Sequence, residues 1–178
     1  MNLQSPFKYH SSGFTLVELM TTLSIATILM LVALPSMSSF FSNNKLAQRA
    51  NDIVSSLHFA RSTALSREAT ISLCASSDQL SCNGSLDWSE GWLVWVDSNS
   101  DSNLNNGEEI LYVNDLNAQP NAIVLDAGNT ISFSSTGMNN IAPGTRINFN
   151  ICEAAGSTGR LISLGITGNP AITSQICI

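Results

Sequence analysis

The amino-acid sequence predicts an α+β protein in which one long N-terminal α-helix, half transmembrane and half amphipathic, packs on an antiparallel β-sheet or sandwich. Three observations carry this. Residues 14–34 (FTLVELMTTLSIATILMLVAL) form a 21-residue apolar stretch with one charge, Glu18. Beyond it, Leu46, Ala50, Ile53, Val54, Leu57, Ala60, Ala64 and Leu65 recur every three or four residues, which places them on one helix face. From residue 69 the chain changes to short β-type runs separated by Asn-, Ser- and Gly-rich turns, among them Asn83-Gly84 and Asn106-Gly107. Four segments follow: a polar leader (1–13), a transmembrane helix (14–34), its amphipathic continuation (35–68) and a β-rich globular domain (69–178).

The leader, MNLQSPFKYHSSG, has Lys8 as its only charged side chain. The stretch after it is long enough to cross a bilayer as a helix, which takes about 20 apolar residues. A secretory signal peptide is cut after its apolar stretch, at small residues. Here Pro35 and Ser36 follow instead, and more helix-compatible sequence after them. A cut after Gly13 leaves the apolar helix in the product. Pro35 has no amide donor and is expected to bend or loosen the helix. No Gly or Pro interrupts residues 36–69, so the helix is expected to run to about Arg67. The strand expectations are residues 70–74, 92–96, 110–113, 123–125, 130–133, 146–151 and 161–166.

Glu18 is the anomaly of the apolar stretch. A carboxylate inside a bilayer costs a few kcal/mol, less near the end of a span. Cleavage before Phe14 creates an α-amino group, and a neighbouring subunit's Glu18 is placed to pair with that cation in a packed assembly.

GFTLVELMTTLSIATILMLVALP resembles the type IV prepilin signature, with Gly13 before the cut, Phe14 as the new N-terminus, Glu18 as the assembly residue and Pro35 as the helix kink. The resemblance implies removal of residues 1–13 by a prepilin peptidase, N-methylation of Phe14, and assembly with other pilins through the N-terminal helix. It also implies a single-pass bacterial inner-membrane protein with its globular domain in the periplasm. The stretch LHFARSTALSREATISLC (57–74), with GWLVWVD (91–97) and FSSTG (133–137), is similar to the FimT/GspH group of minor pilins and pseudopilins. A minor pilin that helps to initiate or cap a type IV pilus is the first expectation. A DNA-binding pilin of natural transformation and the H-type pseudopilin of a type II secretion system are the alternatives.

Four cysteines, Cys74, Cys82, Cys152 and Cys177, contain no CxxC pair, so zinc is disfavoured and disulfides are expected in an oxidising compartment. Three connectivities exist; proximity in sequence favours Cys74–Cys82 and Cys152–Cys177. The formal net charge is −6, which repels phosphate backbones. Members of the group that capture DNA use an arginine-bearing Gly-Arg motif. Here it corresponds to Gly159-Arg160, with Arg146 as a second possible contact, and no Lys or Arg follows Arg160.

No catalytic constellation is visible: His58 stands alone on the helix, and no nucleophile elbow, phosphate loop or paired-carboxylate signature is present. The chain is expected not to be an enzyme and to need no cofactor. Asp97, Asn99, Asp101 and Asn103 alternate, and Glu108 falls at the twelfth position, as in a calcium loop. However, Ser102 stands where that loop wants Gly, and the flanks read as strands. The favoured reading is a solvated hairpin loop. Trp92 and Trp95 lie on opposite faces of an alternating strand, so one is expected in the core and the other exposed.

Overall fold

The computed structural model describes residues 13–115 and 122–178; the side chains of residues 32–39 and 122 lie outside that description, as does the leader before Gly13. One helix and eight strands are present among the described residues: α1 (Leu16–Arg67), β1 (Ile71–Ala75), β2 (Gly91–Val96), β3 (Ile110–Asp115), β4 (Ala122–Leu125), β5 (Thr130–Phe133), β6 (Ile147–Cys152), β7 (Thr158–Leu164) and β8 (Pro170–Ile176). The boundary between two compact units, Met1–Phe41 and Ser42–Ile178, falls inside α1. The helix continues through position 35. The bend expected at Pro35 falls on side chains outside the described residues.

The strands form two antiparallel sheets, ordered β3-β2-β1-β5 and β4-β6-β7-β8. Leu46, Ala50, Ile53, Leu57, Ala60 and Ala64 are each at most 2% exposed. This stripe of α1 joins one core with Ile71, Leu73, Trp92, Val94 and Phe133 of the first sheet and Leu125, Phe149, Ile151, Ile162 and Leu164 of the second. Trp88 packs edge-on against Phe149, with ring centroids 5.1 Å apart. Trp92 Nε1 donates to Ser56 Oγ (2.9 Å), which satisfies the indole N–H where water cannot reach it.

The expectation that one of Trp92 and Trp95 is exposed is overturned: both are fully buried. β1 and β2 are covered on both faces. Cys74, Leu93 and Trp95 form a second, smaller core on the face away from α1's stripe, with Cys82, Leu104, Ile110 and Val113 packed against it. The residues after each strand fold back over the sheet, so alternation along β2 reports two cores rather than core and solvent. Cys74 is bonded to Cys82 and Cys152 to Cys177.

The exit of α1 is a Schellman-type turn. Ala69 N–H donates to Ala64 O (3.3 Å) while Glu68 takes φ +52°. That left-handed position favours Gly, and Glu68 holds it against a steric cost of about 1 kcal/mol.

Candidate assembly surface

The chain enters α1 through a cap. Glu18 N–H donates to Thr15 Oγ1 (3.2 Å) and Leu19 N–H to Thr15 O (3.1 Å). Thr15 is therefore the N-cap, and Glu18 stands at the third helical position of a Thr-x-x-Glu capping pattern. That pattern was present in the sequence and was not read from it. Upstream, Gly13 and Phe14 are non-helical and exposed, Phe14 at 75%, and nothing lies within 4 Å of where a Gly13 Cβ would sit. The Gly13–Phe14 bond is thus open and outside the helix, and Glu18 follows one turn later.

Between residues 14 and 31 the helix exposes large apolar side chains around its whole circumference. Phe14, Leu16, Val17, Leu19, Met20, Leu23, Ile25, Ile28, Leu29, Met30 and Leu31 are each 52–75% exposed. A helix apolar on all sides is one made for apolar surroundings. Its hydroxyls agree. Thr21 donates to Glu18 O (3.0 Å), Thr22 to Leu19 O (2.9 Å), Ser24 to Met20 O (2.8 Å) and Thr27 to Ser24 O (2.8 Å). Each proton is satisfied by the helix's own backbone, so none needs water. Arg67 and Glu109 form an ion pair (2.6 Å), and among the described residues Glu18 forms none. Among the described residues no helix is long and apolar enough to cross a membrane. The expected span, 14–34, runs into positions whose side chains lie outside them.

The two arginines proposed from sequence are not brought together. Arg160 lies opposite Ile151 near one end of the β6–β7 ladder, and Arg146 precedes β6 at the other end, beyond the Ile147–Leu164 pair. Along the strand that is about 17 Å. Arg160 Nη1 donates to Ser174 Oγ (2.7 Å) on β8. Gly159 has a packing reason of its own: a Cβ there would sit 2.5 Å from Cys177 Sγ, 2.5 Å from Ile151 O and 2.9 Å from Cys152 Sγ. The glycine is required by the disulfide beside it.

In the 97–108 loop the acidic side chains hold the loop's own donors. Asp97, buried, accepts the Ser72 hydroxyl (2.8 Å) and the N–H groups of Asp101 (3.1 Å) and Ser102 (2.9 Å). Glu108 accepts the N–H groups of Ser98 and Asn105, both at 2.8 Å. Asp101 accepts the Asn103 N–H (2.8 Å) and the side-chain amides of Asn99 (2.8 Å) and Asn105 (3.0 Å). These donors, the Asn105 amide foremost, hold the Asp101 carboxyl below its ordinary pKa. Ser102 takes φ +62°, the conformation a calcium loop gives to Gly. Among the described residues no three His, Cys, Asp or Glu side chains gather as a metal site. His58 lies on the open face of α1 beside Ser55, Phe59 and Arg61.

The prokaryotic N-terminal methylation motif matches residues 8–34. The family described as type II transport protein GspH matches residues 49–168, more than half of the chain. The chain belongs to the GspH family. It resembles the competence protein ComGC of Halalkalibacterium halodurans, at 53% identity over 45 residues, which are 25% of this chain and 40% of that protein. The chain thus spans about two fifths of that relative's length. Among solved structures, the type IV minor pilin FimU of Pseudomonas aeruginosa has a TM-score of 0.57 at 23% identity, covering 78% of this chain and 99% of that one. A second crystal form gives 0.54 at 23%, covering 75% and 100%. This likeness is one of fold: a helix packed on antiparallel sheets. The GspH family, with its methylation motif, is one of structural pilin-type subunits.

Proposed function

We propose that this chain is a minor pilin of a type IV pilus, a structural and non-enzymatic subunit that helps to initiate or cap the filament. A prepilin peptidase cuts between Gly13 and Phe14, the Phe14 amine is methylated, and residues 14–34 hold the mature subunit in the inner membrane with the globular domain in the periplasm. On assembly, Glu18 pairs with the Phe14 amine of a neighbouring pilin. The observation that carries this reading is the apolar helix in which Thr21, Thr22, Ser24 and Thr27 all donate to the helix's own backbone and in which, among the described residues, Glu18 forms no ion pair. An unpaired carboxylate in apolar surroundings is costly or neutralised, and an N-terminal ammonium of the next subunit relieves it.

The test separates the charge from the side chain's size. Glu18→Ala removes the whole carboxylate side chain, whereas Glu18→Gln keeps its size and removes only the charge. The cap bond from the Glu18 N–H to Thr15 Oγ1 is donated by the backbone and survives both. Both variants are expected to lower incorporation into filaments to a similar degree while the full chain accumulates in membranes. Mass spectrometry is expected to find a mature chain starting at N-methylated Phe14. Normal piliation with Glu18→Gln overturns the charge pair, and a mature protein retaining Lys8 overturns the processing.

The family description supports a second reading, the H-type pseudopilin of a type II secretion system, which uses the same helix in the same way. Neighbouring genes for a secretion ATPase and secretin rather than pilus components decide for it. A DNA-uptake role is the weaker alternative. Arg146 and Arg160 lie at opposite ends of a ladder in an acidic chain, and Arg160 is already engaged by Ser174.

A further inference from the structure

The four outer edges of the two sheets are not alike. β4 is covered on its outer side: Trp88 N–H donates to Ile123 O (2.7 Å) and Leu125 N–H to Leu86 O (2.8 Å). β5 is partly covered by residues 138–140, through Ser134 N–H to Met138 O (2.8 Å) and Asn140 N–H to Ser132 O (3.0 Å). β3 pairs with β2 through a register shift at Val94/Trp95, and charged Glu109 and Asp115 stand at its ends. Bulges, charges and covering loops are how proteins keep sheet edges from pairing with other chains.

Proline is another such device, and β8 carries one, Pro170 at its first position, but no bulge, charge or covering loop along the rest of its length. Its seven residues pair regularly with β7, from Leu164–Pro170 to Thr158–Ile176, and no Asp, Glu, Lys or Arg occurs from residue 161 to 178. Ile172 is 43% exposed and Ile176 74%. Among the described residues nothing pairs with its outer side. The direction of its backbone groups follows from one bond: Cys177 N–H donates to Ser157 O, toward β7 (2.9 Å). Backbone groups alternate along a strand, so residues 171, 173 and 175 also face β7. Ile172, Ser174 and Ile176 present their N–H and C=O groups to the open edge, and Pro170, which has no N–H, falls on the same side.

We propose that β8 is a pairing edge and that its occupant is β8 of a second copy of this chain, antiparallel about a twofold axis at Ser174. The open-edge residues are symmetric about Ser174: in that register it faces its own copy, and Ile172 faces Ile176 in both directions. Every outward N–H and C=O of the three residues finds a partner. The four isoleucines meet on one face, because Ile172 and Ile176 share a side of the strand, and they cover each other's exposed surface. The nearest charges are the two Arg160 side chains on the flanking β7 strands. The β7 backbones are three strand spacings apart, about 14 Å, but each Arg160 guanidinium reaches Ser174 Oγ on β8 (2.7 Å). The two cations therefore approach across the seam, and added salt is expected to favour the pairing. The pairing stands apart from the minor-pilin reading and from Glu18.

The test is disulfide trapping in cells producing the full chain. Opposed residues in a hydrogen-bonded antiparallel pair have Cα atoms about 5.5 Å apart, within disulfide reach. Two copies of residue 173 in this register are about 8 Å apart, outside it. Ser174→Cys is therefore expected to give an oxidised homodimer on a non-reducing gel, and Thr173→Cys to stay monomeric. Adding Ile172→Glu and Ile176→Glu to Ser174→Cys sets like charges face to face. It is expected to remove the dimer while the thermal melting of the chain is kept, since both sites are exposed. Three results overturn the proposal: no dimer with Ser174→Cys, equal cross-linking with Thr173→Cys and Ser174→Cys, or a cross-link to a different protein.

Discussion

Replacing Gly159 by Ala tests the packing at the end of β7 most directly. The added Cβ would lie 2.5 Å from both Ile151 O and Cys177 Sγ. Ordinary contact for such atoms begins near 3.4 Å, so β7 must move by roughly 0.9 Å away from β6, or β6 and the Cys152–Cys177 bond must give by as much. Neither side yields easily. Ile151 is paired opposite Arg160 in the ladder, and both sulfurs are tied into one disulfide. Overpacking costs typically 1–3 kcal/mol, and these obstacles are backbone and cross-link, so the upper end applies, about 3 kcal/mol. For a folding unit the size of Ser42–Ile178 this lowers Tm by about 10 °C. The assay is a melt of the detergent-extracted full chain, followed by circular dichroism without reductant. Cys152→Ala with Cys177→Ala alone is expected to cost about 3.5 kcal/mol through the lost cross-link. Combined with Gly159→Ala, the losses should fall short of additive by about 1 kcal/mol, because two of the three obstacles have gone. A Gly159→Ala chain melting within about 2 °C of the parent refutes the argument, and strictly additive losses refute the disulfide's part in it.

Further outcomes follow from the same structure. Glu68→Gly relieves the left-handed position at the end of α1 and is expected to raise stability by about 0.5–1 kcal/mol, read as a higher Tm; a fall would show that the Glu68 side chain matters more than its backbone. Asp97→Ala strands the buried-side Ser102 N–H, while the Ser72 hydroxyl keeps Ser132 Oγ and the Asp101 N–H keeps Asn99 Oδ1, and it is expected to cost about 1–3 kcal/mol. Added Ca²⁺ is expected to leave the Tm unchanged, because the loop's acids are bonded to its own donors; a saturable rise abolished by Asp97→Ala would make the loop a calcium site. The full chain is expected not to retard DNA at physiological salt, whereas a shift lost with Arg160→Ala would favour the uptake reading.

The sequence revealed α1 and most strands because burial there follows simple periods. The stripe from Leu46 to Ala64 is a helical repeat, and β1, β2 and β4–β6 coincide with apolar runs. β8 was not legible. Its residues, PAITSQI, follow Gly168-Asn169 and show no buried alternation, because an edge strand outside the core leaves both faces open. Trp95 was misread for the opposite reason: a strand covered on both faces has no exposed side to alternate with. The signature around Gly13, Phe14 and Glu18 was legible as a motif of residue types, and the N-terminal methylation motif matches there. What the motif did not disclose is the cap Thr15 provides, or that the Gly of Gly159-Arg160 answers to a disulfide 18 residues downstream at Cys177. Such facts depend on neighbours that only the folded chain supplies.

The four bonded hydroxyls of the N-terminal helix bear on how a subunit changes solvent. With these four protons bonded internally, the helix keeps the same hydrogen bonds in lipid as among packed helices, so these groups set no barrier to exchange between the two phases. Dispersion contacts differ little between lipid tails and apolar side chains. The transfer free energy of the segment then concentrates on its ionisable groups, Glu18 and, after the proposed cut, the Phe14 amine. On the proposed assembly, such a subunit would diffuse in lipid while Glu18 stays at the wet interface, and would commit to a neighbour when a cation meets that carboxylate.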